Sequence, residues 1–288
     1  MIKSILLATD LSPQSDRAME RAIKLAVEKK CELHILHIVP NYIAKKLSSS
    51  LKTETEELLK SFIADYKESK KLKVKTTVSQ QNQSVYAEIL ACAHKVKASL
   101  IVMGLHRKTS LPDMFIGTTA ERVVRKGAWP VLLVKNKPVG PYRNVVCATD
   151  FSTSARQALR LAVDFSPSAK FHAIHAYEIP VYAIETGPIY LETKAAVLEQ
   201  DQKALDKFIE TECKSFVRKY KKMSLALSGK LVNAPVLESI NKHIKNTKAD
   251  LLTLGAHGRA GFAHALLGSL AGTLLADPPC DILVAREK

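Results

Sequence analysis

The chain has 288 residues, 47 % of them hydrophobic and 25 % charged; the length favours two domains, and the balance can bury a core, which excludes disorder over most of the chain. Its formal net charge is +15 and uneven: 24 basic against 13 acidic residues over 1–140, hence +11, and 19 against 15 over 141–288, hence +4. No aromatic-rich basic stripe, helix-turn-helix or RNP-like signature accompanies that excess, so it reads as a lysine-rich solvated surface, as at Lys67–Lys73, rather than as a nucleic-acid interface.

The first apolar run, Ile5-Leu6-Leu7-Ala8-Thr9-Asp10-Leu11-Ser12, predicts a buried strand over 4–9. Ser12 suits a helix N-cap with Pro13 at the first helical position, where a missing N–H costs nothing. Ala18, Ala22, Leu25 and Ala26 give that helix its apolar face. A second strand is predicted over 33–39 and a third over 73–78. The polar stretch between them reads as loop at Lys45-Lys46-Leu47-Ser48-Ser49-Ser50, then as helix from Thr55 to Lys67 with Leu58, Leu59, Phe62 and Ile63 on one face. Strands over 99–103 and 131–134 complete the half. Lys135–Pro141, with two prolines, a glycine and two lysines, reads as a short exposed linker.

The second half repeats the first. Val145-Val146-Cys147-Ala148-Thr149-Asp150-Phe151-Ser152 matches the opening run, and a helix with Ala158, Leu161 and Ala162 on its apolar face follows. Strands are predicted over 144–149, 170–176, 225–231, 250–254 and 281–285. Tyr182–Tyr190 looks irregular around Gly187-Pro188, and Glu192–Tyr220 reads as one long helix. Strands alternating with helices predict an α/β chain: two tandem doubly wound, Rossmann-like domains, 1–137 and 142–288, each with a five-stranded parallel sheet. The two last strands should lie at sheet edges, where they can pair with each other in an intrachain pseudo-dimer; a higher homo-oligomer stays open.

Five cysteines, at 31, 92, 147, 213 and 280, form no CxxC pair. This argues against a disulfide framework or zinc site and for reduced thiols. No run approaches the ~18 apolar residues of a membrane span, and Met1–Ser12 has no signal-peptide core, so a cytoplasmic location and no membrane partner are expected.

In open α/β sheets ligands bind beyond the carboxyl ends of the strands. The ends at Thr9-Asp10 and Gly104, and at Thr149-Asp150 and Gly255, should therefore be neighbours. Beyond Gly255 the sequence shows G-x2-G-x9-G-S, set by Gly255, Gly258, Gly268 and Ser269. The first two glycines allow positive φ and close approach of backbone amides to an anion. Gly268-Ser269 opens a helix whose free N–H groups favour phosphate.

With these motifs the chain resembles the universal stress protein family, in two tandem copies, and specifically its ATP-binding subclass. The resemblance implies ATP, with or without Mg, as ligand. Ala148, Thr149 and Asp150 would line the adenosine end, Ala176 and Leu254 would back the adenine, and Gly255, Gly258, Gly268, Ser269 and Leu270 would meet the phosphates. In the first half Arg107 stands where Gly258 does, so Thr9, Asp10, Ile38, Gly104, Gly117 and Thr118 mark a weaker second site. No phosphate-loop, dinucleotide, zinc-protease or serine-elbow motif is present, and no metal set can be read. His106, His257 and His264 read as loop residues rather than catalytic bases. The expected function is a cytoplasmic, stress-response, nucleotide-responsive binding or sensing module. The alternatives are a slow ATPase or phosphoryl-transfer enzyme, and a scaffold with vestigial sites.

Overall fold

The computed structural model describes residues 2–41, 45–66, 72–105, 119–177, 188–220, 225–256 and 267–286. The chain divides into two compact units: Met1–Pro141 with Cys280–Val284, and Tyr142–Pro279 with Ala285–Glu287. Both are α/β, with mostly parallel strands and intervening helices.

The first unit contains β1 (Ser4–Thr9), α1 (Pro13–Lys29), β2 (Glu32–Val39), α2 (Lys45–Asp65), β3 (Val74–Gln80), α3 (Val85–Lys95), β4 (Leu100–Gly104), α4 (Thr119–Lys126) and β5 (Val131–Val134). Its strands run parallel in the order β3-β2-β1-β4-β5. β10 (Asp281–Ala285) lies antiparallel to β5, with Ile282 opposite Leu133 and Val284 opposite Val131. β1 is buried along its whole length, as expected for a strand covered on both faces, which is why it reads as an unbroken apolar run. At the start of α1 the Ser12 hydroxyl accepts the Ser15 N–H and Pro13 takes the first position. Ala18, Ala22, Leu25 and Ala26 are all buried.

Two expectations for this unit are corrected. Lys45–Ser50 is helical, because α2 already starts at Lys45. Serine costs a helix only roughly half a kcal/mol per residue relative to alanine, less than the packing of a 21-residue helix supplies. Within α2, Leu59 is buried while Leu58 is 46 % exposed, so the inward stripe is Thr55, Leu59, Phe62 and Ile63. The linker is exposed as expected, at Asn136, Lys137, Val139 and Pro141, and is also tied down along its length. Arg17, Arg21 and Lys24, on one face of α1 at i, i+4 and i+7, donate to the carbonyls of Lys135 (2.7 Å), Gly140 (2.7 Å) and Pro138 (3.2 Å). Asp281 Oδ1, buried, accepts the N–H groups of Lys135 (2.9 Å) and Asn136 (3.0 Å). Part of the first half's basic excess thus neutralises backbone carbonyls.

The second unit contains β6 (Asn144–Ala148), α5 (Thr153–Phe165), β7 (Lys170–Tyr177), α6 (Pro188–Tyr220), β8 (Ala226–Asn233), α7 (Val236–Thr247), β9 (Leu251–Gly255) and α8 (Ser269–Ala276). Its strands run parallel in the order β9-β6-β7-β8. α6 begins at Pro188, four residues before the expected start, because proline is well placed in a first helical turn. In α5 it is Leu159 that is buried, with Ala158 and Ala162, whereas Leu161 is only half-buried. α6 buries Asp201, Leu205, Phe208, Glu212 and Phe216 along one stripe. It lies close on β8 because Gly229 has no side chain; a Cβ there would stand 2.4 Å from Ile209 Cδ1.

Candidate functional site

At the carboxyl end of β6 the chain turns through Thr149, Asp150 and Phe151 into α5. Thr149 Oγ1 accepts the Phe151 N–H (2.9 Å) and Asp150 Oδ1 accepts the Ser152 N–H (3.0 Å). Ser152 in turn caps α5, accepting the Ala155 N–H (3.3 Å). These overlapping side-chain turns are what Thr, Asp and Ser do best. They hold Phe151 at φ 66°, a left-handed conformation costing roughly 1–2 kcal/mol for a residue with a Cβ. The Phe151 ring offsets that cost by packing against His175 (centroids 4.5 Å) and Phe208 (5.9 Å). His175, near the end of β7, places Nδ1 2.7 Å from the Thr149 carbonyl oxygen. Ala176 follows it.

At the end of β9, Leu254 is buried and Gly255 abuts the first turn of α5. A Cβ on Gly255 would stand 2.3 Å from Ser154 Oγ and 3.0 Å from the Ala155 nitrogen. The expectation of positive φ at Gly255 is therefore corrected: its φ lies outside the left-handed region, and the glycine is required by the closeness of α5. Ala256 is fully buried; its N–H donates to the Ala285 carbonyl (2.8 Å), and its own carbonyl accepts the Gly268 N–H (3.0 Å). That last bond sets the start of α8 beside the end of β9. It also engages the Gly268 N–H. No side chain caps α8, and a helix leaves its first N–H groups unbonded. Ser269 is exposed and Leu270 half-buried. Gly258, His257 and His264 lie outside the described residues.

The structure thus gathers Ala148, Thr149, Asp150, Ala176, Leu254, Gly255, Gly268, Ser269 and Leu270 at the carboxyl ends of β6, β7 and β9. Under them Cys147 is fully buried, and desolvation pushes its thiol up to about 12. It stays protonated and inert.

The first unit repeats the turn. Thr9 Oγ1 accepts the Leu11 N–H (3.0 Å), Asp10 Oδ1 accepts the Ser12 N–H (3.0 Å), and Leu11 has φ 61°. His37 Nδ1 lies 3.0 Å from the Thr9 carbonyl, Ile38 follows it, and Gly104 ends β4. One difference stands out: Asp10 Oδ1 also takes the Ser15 hydroxyl at 2.5 Å. The matching position in the second unit is Ala155, which brings no hydroxyl. His106, Arg107, Gly117 and Thr118 lie outside the described residues.

Sequence reasoning missed His37 and His175, Leu11 and Phe151, the Ser15/Ala155 difference, and Asp201. The histidines were findable, since each follows an apolar run at the same place in its repeat.

An open groove of about 590 Å³ lies elsewhere, between α5 and α6, lined by Arg160, Lys214, Arg218 and Lys219. It is a poorer anion site than its charges suggest: Arg160 already pairs with Glu212 (2.7 Å), Lys214 with Glu210 and Lys219 with Asp164. Among the described residues no group of three or more His, Cys, Asp or Glu could hold a metal, and no helix is long and apolar enough to cross a membrane.

Residues 1–135 and 141–286 each match the model of the universal stress protein family. A universal stress protein of Methanocaldococcus jannaschii is 34 % identical over 145 residues, 47 % of this chain and 83 % of that protein. One from Synechocystis sp. is 24 % identical over 311 residues, 99 % of this chain and 100 % of that protein. The crystal structure of a universal stress protein from Archaeoglobus fulgidus superposes with a TM-score of 0.66 at 18 % identity, covering 99 % of this chain and 98 % of that one, a likeness of fold.

Proposed function

The chain belongs to the universal stress protein family in both of its halves, and from that premise we propose that its second domain, 142–288, binds ATP while the first, 1–137, serves as a structural partner. The protein then acts in the cytoplasm as a nucleotide-responsive module of the stress response. The observation that carries this reading is the bond from the Gly268 N–H to the Ala256 carbonyl (3.0 Å). It puts a helix N-terminus with no side-chain cap next to Gly255, which itself abuts the turn presenting Asp150. Phosphates are favoured by the first suits-all donor set of a helix start, its free N–H groups and positive dipole end. A carboxylate at the other side of the same strand ends is an acceptor for ribose hydroxyls or the adenine amine.

The first domain is the weaker candidate because its sequence has Arg107 where the second has Gly258. Calorimetric titration with ATP tests the assignment. Asp150→Ala and Gly258→Arg should each weaken binding by about 1–3 kcal/mol, the cost of an unmade hydrogen bond to a charged group, with folding intact by circular dichroism. Unchanged affinity in both variants refutes it.

A further inference from the structure

The turn that carries Asp150 is held from behind by a pair of buried side chains. His175 Nδ1 faces the Thr149 carbonyl at 2.7 Å. A carbonyl oxygen only accepts, so Nδ1 carries the hydrogen. The other ring nitrogen, Nε2, faces Asp201 Oδ2 on α6 at 3.5 Å. The two side chains are 9 % and 12 % exposed. The Nδ1 hydrogen bond and the carboxylate facing Nε2, which can only accept and so attracts a ring that carries a hydrogen there as well, together restrict the ring's orientation. Phe151 stacks on the same ring, and Phe208, one helical face along from Asp201, backs Phe151. The strained residue of the turn therefore rests on groups supplied by β7 and α6.

The first unit has one arm of this arrangement. His37 meets the Thr9 carbonyl at 3.0 Å. The inward stripe of α2, with Thr55 and Leu59 buried and Phe62 half-buried, has the same spacing as the buried Asp201, Leu205 and Phe208 in α6. By that spacing, a threonine takes in α2 the place that the aspartate takes in α6. The carboxylate arm coincides with the repeat that keeps the full glycine motif and has Ala155 in place of Ser15.

We infer that His175 and Asp201 are positioning residues for the nucleotide turn: through them α6 sets the Thr149–Asp150 turn in the shape that presents the Asp150 carboxylate. This rests on the ATP reading above. Removing the Asp201 arm lets the His175 ring rotate, loosens the Thr149 carbonyl and spreads the turn over several conformations, so that ATP must order it again on binding.

The test uses the full chain and two readouts. Nitrogen-15 NMR of labelled histidine, without nucleotide, should show a slowly exchanging hydrogen on His175 Nδ1, exchanging faster in Asp201→Leu. Calorimetry with ATP should show Asp201→Leu about tenfold weaker, the scale of one hydrogen bond. Asp201→Asn, whose amide can still partner Nε2, should recover to within about threefold. His175→Asn, which keeps a donor near the Nδ1 position, should be weakened like Asp201→Leu, and the double variant no further, because the two act as one unit. The inference is overturned by wild-type affinity in Asp201→Leu, by additive effects in the double variant, or by a His175 hydrogen found on Nε2 alone. Should Asp201→Leu not fold, His175→Asn and Asp201→Asn decide it. Should the wild-type chain bind no ATP, the nucleotide reading fails, and this one is judged on the Nδ1 signal and its response to Asp201→Asn.

Discussion

Gly255 is matched by Gly104 in the first repeat, whereas Ala155 stands where the first repeat has Ser15. Gly255→Ala must push Ser154 or the backbone of Ala155 aside, which should cost about 1–3 kcal/mol as an overpacking change. Ser154→Ala in the same chain should return part of it, since it removes the closest atom; urea unfolding reads both. Ala155→Ser should reproduce the first unit's arrangement by offering Asp150 a hydroxyl, lowering ATP affinity with little change in stability. His172 and His243 give a pH dependence. Their rings meet edge-on at 5.9 Å. Burial first, then Lys170 beside His172 and Lys230 beside His243, hold both below the ordinary histidine range. The unfolded chain takes up these protons first, at about pH 6.5. Their contribution to stability is complete above that pH and is lost as pH falls toward the folded-state values. The urea midpoint should drop between pH 7.5 and pH 5.5, and His172→Asn should shrink the drop. At this scale the Thr-Asp-Ser turn was legible because it occurs twice and uses residues with strong local bonding habits. The need for Gly255 was legible as a glycine but not in its reason. That reason is the approach of α5, a contact between residues 101 positions apart.

Helices and strands were legible where packing and local preference agree. The strands declare themselves as unbroken apolar runs because helices cover both faces. The start of α2 was hidden because serine-rich sequence looks like a loop, although a long helix carries it. The choice of Leu159 over Leu161 in α5, and of Thr55 over Leu58 in α2, depends on the helix's rotation against its sheet, which composition does not encode. Between α5 and α6 a buried acid joins two arginines: Glu212, 2 % exposed, accepts from Arg156 (3.0 Å) and Arg160 (2.7 Å). Glu212→Gln should destabilise the chain by about 2 kcal/mol, less than the roughly 3–5 kcal/mol of a fully buried broken pair because Arg160 is half exposed to screening solvent. Thermal unfolding measures it; an unchanged midpoint would show that the pair contributes nothing. The linker follows the same logic. Asp281→Ala should speed hydrogen exchange at the Lys135 and Asn136 amides, whose acceptor it removes, and an unchanged rate would show that the linker is held by α1 alone.

At the scale of the whole molecule the chain is a duplication whose copies share a turn and differ in the residues around it. The shared part is structural: strand, Thr-Asp turn, capped helix and a histidine behind the turn. The unshared part lies where the proposed ligand would sit, in the second glycine, the hydroxyl of Ser15 and the carboxylate of Asp201. The tandem fold and the family were readable from end to end because repetition doubles every weak signal. The proposal for which copy holds a ligand rests, in the sequence, on the glycine pattern alone, and the surroundings of Ser15 and Asp201 needed the structure. The central claim is one nucleotide site per chain, built on the second Thr-Asp turn. Its most direct test is the stoichiometry of ATP bound to the purified full chain, measured by calorimetry beside Asp150→Ala. We predict about one ATP per chain, lost or strongly weakened in the variant. No binding to the wild-type chain, two equivalent sites, or a single site indifferent to Asp150→Ala would contradict it.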